Sequence, residues 1–587
     1  MSDKTSTSPW PVMSIAEAHA RLTGLGAPFE IEEAVIRGVR TRTWKNAPPT
    51  LRDIFLNGQR FKDREFLVYE DDRATYDAYG RATIALAHRL IADGVKKGDR
   101  VAVIMRNLPE WPVAFWAGQL CGAIVTPLNA WWTGPELEYG LADSGAKVAI
   151  VDDERLERVA GFLESLPDLK KVYVARHPGG ALPPRTERLE DVIGKVNDWG
   201  KLPEQALPDV PLSPDDDATI LYTSGTTGKP KGALGTHRNM TSNVGAGGIS
   251  AARNFLRAGE PLPELDATKL PQRVSLLVVP MFHATGLSST MGPTMNAGGK
   301  LVLMRRWDAE PAMQLIEREK VTATGGVPTI AWQLIEHPAR ANYDLSSLLS
   351  VTYGGAPSAP ELVRKIAETF PGSQPGNGWG MTETTATFTS HLGKDYEARP
   401  DSAGPAAPVG EMEIRDPADG RSVLPPGAVG ELWVKGPQVV KGYWNKPDAT
   451  AETFVDGWLR TGDLARLDEE GFLFIIDRAK DMLIRGGENI YCVEVENVLY
   501  EHPEVMDAAL IGLPHKTLGE EPAAVVHLRP GGTATEQELK DLVRSRLAAF
   551  KVPVKVAFWP ETLPRNANGK IMKGELKQAF AEASEAA

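Results

Sequence analysis

The stretch Tyr222-Thr223-Ser224-Gly225-Thr226-Thr227-Gly228-Lys229-Pro230-Lys231-Gly232 follows without a break on residues 219–222, a short apolar run that reads as a buried strand. Its glycines let backbone N–H groups come close to an anion, its Ser and Thr hydroxyls add donors, and Lys229 and Lys231 supply positive charge. Together they make a cradle for a polyphosphate. A polar hairpin turn is the competing reading, but a turn has no use for the two lysines. The loop is not a Walker A loop. The spacing from Gly225 to Lys229 is too short, and Pro230 stands where a metal-binding Ser or Thr is needed.

Further runs of the same apolar, β-branched kind lie at 100–105, 123–127, 147–151, 274–280, 301–304 and 349–353, with helical patterns between them such as 82–93, 135–144 and 360–370. Strands apolar on both faces that alternate with helices predict an α/β fold with parallel sheets covered by helices. Ligands of such folds bind at the carboxyl ends of strands. Residues 111–135 carry no charge and have the length of a membrane span. Pro112, Gln119, Gly122, Pro127 and Asn129 interrupt them, so the segment reads as a buried helix over 111–121 followed by a buried strand.

The last hundred or so residues read differently. A strand at 471–476 meets the charged cluster Asp477-Arg478-Ala479-Lys480-Asp481, and smaller elements follow: a helix at 493–500, a strand at 523–528 and a helix from Leu539. Thr535 and Glu538 form a capping box for that helix, with Leu539, Leu542, Val543 and Leu547 on one face. A compact C-terminal α+β domain is expected, and the Gly/Pro-rich stretch 417–430 reads as a turn inside the preceding region.

Composition narrows the function. Lys and Arg number 65 against 77 Asp and Glu in 587 residues, a net charge of −12, which argues against a binder that neutralises nucleic-acid phosphates. Only Cys121 and Cys492 are present, which excludes a disulfide scaffold and points to a reducing cytoplasm. The Ser/Thr-rich start has no apolar stretch behind a basic flank, so it does not read as a secretory signal.

Four more motifs follow the glycine-rich loop in order: Gly378-Trp379-Gly380-Met381-Thr382-Glu383-Thr384; Thr461-Gly462-Asp463; Asp477-Arg478-Ala479-Lys480 with Gly486-Gly487-Glu488-Asn489; and Pro564-Arg565-Asn566-Ala567-Asn568-Gly569-Lys570. With these five the chain resembles the adenylate-forming superfamily of acyl-CoA synthetases, firefly luciferases and peptide-synthetase adenylation domains, most closely the acyl-CoA synthetases. The resemblance runs from about Thr50 to the C-terminal helix. It implies a large N-terminal domain of stacked mixed and parallel sheets with covering helices (1–478), and a small mobile C-terminal α+β domain (479–587). The implied reaction joins a carboxylate to the α-phosphorus of ATP, releasing pyrophosphate; the thiol of coenzyme A then displaces AMP to give a thioester.

The first of these steps pushes an anion toward a polyanion. Two unit charges about 4 Å apart repel by around 4 kcal/mol at an effective dielectric of 20, so cations must stand close by. By resemblance, Mg²⁺ is one, held near Thr223 and Glu383, and Lys570 is the other, holding the carboxylate and α-phosphate. Ser224, Gly225, Thr226, Thr227, Gly228, Lys229 and Lys231 are expected around the phosphates. Asp463 and Arg478 are expected at the ribose, where a carboxylate accepts hydroxyl donors well. Gly354, Gly355, Ala356 and Pro357 are expected to let adenine lie against backbone, with Trp379 as the opposing aromatic face and Gly380, Met381 and Thr382 beside it. Many relatives carry Tyr at the position of Trp379.

Lys480 matches the family's hinge, about which the small domain turns after adenylation, withdrawing Lys570 and bringing Gly486, Gly487 and Glu488 to the pantetheine arm. At Cys492 the common family pattern has Pro, and Cys492 reads as a structural substitution. His283 is expected beside the acyl carboxylate. The acyl pocket is expected from 282–287, 324–329, 353–356 and 382–386, where Gly325, Gly326, Val327 and Ala386 form a small, apolar lining suited to hydrophobic acids. Leu287 stands where some long-chain synthetases carry a Trp. The expected activity is that of an AMP-forming acid–CoA ligase for a fatty or other hydrophobic acid. The alternatives are an aryl or arylalkanoic acid–CoA ligase, or a ligase that hands its acyl-adenylate to a carrier protein. Acid, ATP and coenzyme A are the expected partners, with a homodimer allowed and no nucleic acid.

Overall fold

The computed structural model describes residues 10–223, 229–355, 360–478, 481–486, 488–566 and 569–585, the stretch 581–585 for its backbone alone. Two eight-stranded sheets dominate. The first runs in the order Gly442–Tyr443, Gly232–Thr236, Asp217–Tyr222, Ile124–Pro127, Arg100–Ile104, Ala146–Asp152, Lys171–Ala175, Thr186–Arg188. The second runs His391–Leu392, Gln374–Gly378, Ser350–Gly354, Ala323–Gly326, Val274–Leu277, Lys300–Leu303, Glu65–Tyr69, Asp72–Thr75. Neighbours inside both sheets are parallel, and antiparallel pairs occur only toward the ends.

Period-two alternation explains how the sheets stack. Val101 and Val103 join a central core that also takes Leu277, Leu301 and Leu303 from the second sheet, while Ala102 and Ile104 face an outer core under other helices. The helices Tyr76–Ala92 and Glu110–Leu120 fill the space between the sheets. Every residue of Glu110–Leu120 is buried, as a helix without a polar face must be. The uncharged segment is therefore a core helix and a central strand. Among the described residues no helix is long and apolar enough to cross a membrane.

A five-stranded antiparallel sheet follows, and its strands Glu411–Arg415 and Gly430–Lys435 form a hairpin around the Gly/Pro-rich turn. The small C-terminal domain is built on the hairpin of Val505–His515 and Gly519–Leu528, with Lys555–Phe558 parallel to the latter. Ala508 and Leu510 face the helices Cys492–Tyr500 and Glu536–Arg546, whereas Ala509 and Ile511 face the C-terminal helix Lys573–Glu585. The capping box at Thr535 and Glu538 is formed.

The start of the chain braces the large domain. Trp44, ending the hairpin of Ile31–Ile36 and Val39–Trp44, donates its indole N–H to the carbonyl of Ser242 at 3.0 Å. Arg37, in the turn of that hairpin, donates to the carbonyl of Val439 at 3.2 Å.

Candidate active site

The glycine-rich loop joins two antiparallel strands, with Tyr222 paired to Gly232, so it is a hairpin and not a strand-to-helix turn. Ser224, Gly225, Thr226, Thr227 and Gly228 lie outside the described residues. Both feet of the loop are fixed. The Thr223 N–H donates to the Lys231 carbonyl at 2.9 Å, and the Lys231 N–H donates to the Thr223 hydroxyl at 3.3 Å. The helix Gly134–Ser144 clasps the same feet. Tyr139 donates to the Pro230 carbonyl at 3.0 Å with the Lys229 ammonium 4.8 Å from its ring, and Tyr222 donates to the Asp143 carboxylate at 2.7 Å.

Glu383 sits in the one-turn helix Thr382–Thr384 and is 6% exposed. The Thr384 hydroxyl accepts the Met381 N–H at 2.9 Å and donates to the Ala386 carbonyl at 2.8 Å, closing the turn. Thr385 and Ala386 both have left-handed backbone, with φ of 57° and 84°, a strain that the surrounding bonds hold in place. The buried carboxylate is satisfied by a residue that the sequence motifs did not reveal. Tyr443 donates its hydroxyl to Glu383 Oε1 at 2.6 Å, its backbone pairs with Ala233 beside the glycine-rich loop, and the Lys231 ammonium lies 4.3 Å from its ring. One tyrosine thus links the acidic turn to the basic loop, and burial next to Glu383 pushes its own hydroxyl well above the ordinary range. Tyr443→Phe leaves a buried carboxylate short of one donor, which costs about 1–3 kcal/mol. We expect roughly tenfold slower turnover of ATP and a melting temperature lowered by a few degrees, checked by steady-state kinetics and thermal unfolding.

Gly354 and Gly378 end neighbouring parallel strands and face each other, and a Cβ on Gly354 would come 2.8 Å from the Gly378 carbonyl oxygen. Gly355 follows in a left-handed conformation, while Ala356 and Pro357 lie outside the described residues. Trp379 adds something to its expected role as a ring face: its indole N–H donates to Asp463 Oδ2 at 2.7 Å, and its ring packs edge-on against Phe388. Asp463 lies opposite Arg478 in the antiparallel pair, with the guanidinium 3.7 Å away. Burial raises the Asp463 carboxyl, against the pull of Arg478, Trp379 and Lys570. The fold brings Trp379, Asp463 and Arg478 to one place.

The described residues around Lys570 are tied by several bonds. Arg565 bridges Asp507 at 2.7 Å and donates to the Gly569 carbonyl at 2.6 Å, and the Lys570 N–H donates to Asn566 Oδ1 at 3.1 Å. Gly569 has φ of 73° and lies so close to Val327 of the large domain that a Cβ would meet it at 2.5 Å. The loop is therefore docked on the large domain, and the charge of Lys570 acts on both Asp463 and His283. His283 precedes a wide helical turn, Thr285–Met291, and its Nδ1 accepts the Thr285 N–H at 3.3 Å. Burial, with a smaller push from Lys570, lowers its pKa to about 4. A histidine that resists protonation in the folded state costs stability as pH falls from its ordinary range toward about 4, because the unfolded chain takes the proton first. We expect His283 to stay neutral between pH 5 and 8, so the pH–rate profile of His283→Asn should keep the wild-type shape over that interval.

Gly325 and Gly326 pair with Thr352 and Tyr353 on parallel strands, and Val327, which follows them, packs against the docked loop. The hydroxyls of Ser289 and Thr387 bond to each other at 2.7 Å, and Leu287 is fully buried. Gly486, just after Leu483–Arg485, and Glu488, the first residue of Glu488–Ile490, are exposed on the small domain. Gly487 and Lys480 lie outside the described residues. Cys492 is buried, which pushes its thiol up and makes it a poor nucleophile.

Comparison with known families matches residues 55–444 to the AMP-binding enzymes and residues 494–570 to the C-terminal domain of AMP-binding enzymes. A feruloyl-CoA synthase of Amycolatopsis sp. is 37% identical over 506 residues, spanning 86% of this chain and 94% of the relative. A long-chain-fatty-acid–CoA ligase of Bacillus subtilis (strain 168) is 34% identical over 552 residues, 91% of this chain and 95% of the relative. Among solved structures, an anthranilate CoA ligase in complex with anthranoyl-AMP aligns with a TM-score of 0.80 at 26% identity, covering 91% of this chain and 98% of the other. An o-succinylbenzoate CoA synthetase of Bacillus subtilis with its acyl-adenylate intermediate aligns with a TM-score of 0.72 at 30% identity, covering 90% and 98%.

Proposed function

This chain belongs to the AMP-binding, adenylate-forming enzymes and is an ATP-dependent acid–CoA ligase, and from that premise we propose how its residues divide the work of two half-reactions. The observation that carries the reading is the Lys570 loop docked on the large domain, with Gly569 against Val327.

In the first half-reaction the glycine-rich loop, with Thr223, Lys229 and Lys231, holds the phosphates by backbone N–H groups, hydroxyls and charge. Asp463 binds the ribose hydroxyls, kept in position by the Trp379 indole and aided by Arg478. Adenine lies at Gly354 and Gly355 against Trp379 and the residues Gly380 to Thr382. Lys570 offsets negative charge where carboxylate and α-phosphate meet, and neutral His283 borders the acyl carboxylate without adding charge of its own. The Glu383 carboxylate and the Thr223 hydroxyl are hard oxygen donors, and they suit Mg²⁺, which takes one or two protein oxygens and completes its shell with phosphates and water. When bound, that ion neutralises phosphate charge. Tyr443 keeps the Glu383 carboxylate oriented toward it.

In the second half-reaction the small domain, residues 479–587, turns about Lys480 against the large domain, residues 1–478. The segment of Gly486, Gly487 and Glu488 then replaces the Lys570 loop and receives the pantetheine arm, with glycine allowing close approach.

The substrate reading is a hydrophobic acid, fatty or arylalkanoic. Small apolar residues at Gly325, Gly326, Val327 and Ala386 support it, as do relatives named for feruloyl and long-chain fatty acids. Two buried free cysteines suit a reducing cytoplasm. The test is a panel of short to long alkyl acids and aryl acids with ATP, Mg²⁺ and coenzyme A, read as AMP and thioester. Hydrophobic acids should dominate; a short or dicarboxylic acid turned over fastest would overturn the substrate reading.

A further inference from the structure

We propose that Glu336 of the large domain and Arg529 of the small domain form a clasp that selects the orientation presenting Lys570, making both of them positioning residues for the first half-reaction. The proposal rests on the two-orientation reading above and names the contact that sets the balance.

Arg529 Nη2 lies 2.5 Å from Glu336 Oε1. Glu336 is the last residue of the helix Pro328–Glu336, where unpaired carbonyls make a carboxylate unwelcome. Its side chain is only 16% exposed, and burial raises its carboxyl. Two cations face it: Arg529, and Lys365 from the helix Pro360–Thr369, which is drawn to Glu368 as well. Of the groups facing Glu336, its helix C-terminus is unfavourable and Lys365 is shared with Glu368, so Arg529 is its one close ion-pair partner among the described residues. That partner arrives with the small domain.

The geometry gives this pair leverage. The helix Pro328–Glu336 begins next to Val327, against which Gly569 packs, and ends at Glu336, which Arg529 meets. At 1.5 Å of rise per residue the two contacts lie about 13 Å apart. Two contacts so separated resist a swing of the small domain better than either alone. By contrast, Asp477 accepts the Cys492 N–H at 2.5 Å right beside the pivot, where a rotation moves atoms little. Arg529 is anchored from behind, since its own N–H donates to the Glu504 carbonyl at 2.8 Å. A turn about 478–480 must part Arg529 from Glu336 and Gly569 from Val327 together, so the ion pair weighs on the orientation equilibrium without touching either substrate.

The test uses the full chain with Glu336→Arg, Arg529→Glu and the double swap. Adenylation is read as acid-dependent exchange of pyrophosphate into ATP, and thioester formation is read from supplied acyl-adenylate and coenzyme A. Each single variant should lower exchange roughly 5- to 10-fold and leave thioester formation unchanged or faster, and the double swap should recover most of the loss. High salt should slow exchange by the wild type more than by Arg529→Gln. Equal losses in both half-reactions, no loss in either, or a double swap no better than the singles would overturn the clasp. Lys570→Ala run in parallel separates the two levels: if it slowed both half-reactions alike, the two-orientation reading itself would fall.

Discussion

Replacing Lys570 with alanine is expected to slow formation of the acyl-adenylate by about 10²–10³, the loss typical of removing one preorganised group that meets developing charge. Thioester formation from acyl-adenylate supplied ready-made should change far less, because on the proposed reading Lys570 has left the site by then. The split between the two rates is what makes the expectation specific. A residue that merely held the fold would damage both steps and lower the melting temperature, whereas Lys570 sits on a loop already fixed by Arg565, Asp507 and Asn566. The variant should therefore melt with the wild type. Rapid-quench measurement of each half-reaction, with a thermal scan of the same preparation, checks all three parts.

Gly380→Ala is expected to be the most damaging single methyl in the large domain. A Cβ at Gly380 would stand 1.6 Å from the carbonyl oxygen of Ala386, inside the tight pairing of Gly380 and Met381 with Ala386 and Thr387. Backbone cannot yield like the end of a flexible side chain, so the turn that carries Glu383 must open. Displacing a catalytic group by about 1 Å costs on the order of 10²-fold in rate, and an overpacked core site loses about 1–3 kcal/mol of stability. Gly247→Ala is the control. It lies exposed inside the helix His237–Arg257 with nothing within 4 Å of the added carbon, and should raise stability slightly by favouring helix. Gly380→Ala should lose both turnover and melting temperature, whereas Gly247→Ala should keep wild-type turnover and melt slightly higher.

Much of this architecture is legible in local pattern. Runs apolar on both faces mark the parallel strands, and the expectation at 147–151 falls within Ala146–Asp152. The break at Gly122 separates the buried helix from its strand, which ends at Pro127, as found. Local pattern misleads where the ladder stops early: the run stays apolar from Leu276 to Pro280, yet the strand ends at Leu277 and the chain turns toward His283. It is silent where a contact joins distant segments. Tyr443 lies 60 positions from Glu383 and belongs to a two-residue strand, too short to show any period, so its bond to the carboxylate is visible only in three dimensions. The strand Val505–His515 is hidden for another reason: Gly512 and Pro514 break its pattern, and its register is set by the partner strand. Trp379 shows the middle case. Its ring face is read from the motif, but the N–H bond to Asp463 depends on strands brought together from 84 residues apart.

The central claim is that acid activation on ATP is a complete reaction at this site before coenzyme A takes part. Its most direct test is exchange of labelled pyrophosphate into ATP by the purified enzyme with Mg²⁺ and a hydrophobic acid, coenzyme A being omitted. The account predicts label in ATP that depends on the acid and disappears in Lys570→Ala, with AMP as the only nucleotide released once coenzyme A is added. Exchange that required coenzyme A, or ADP as the product, would contradict it.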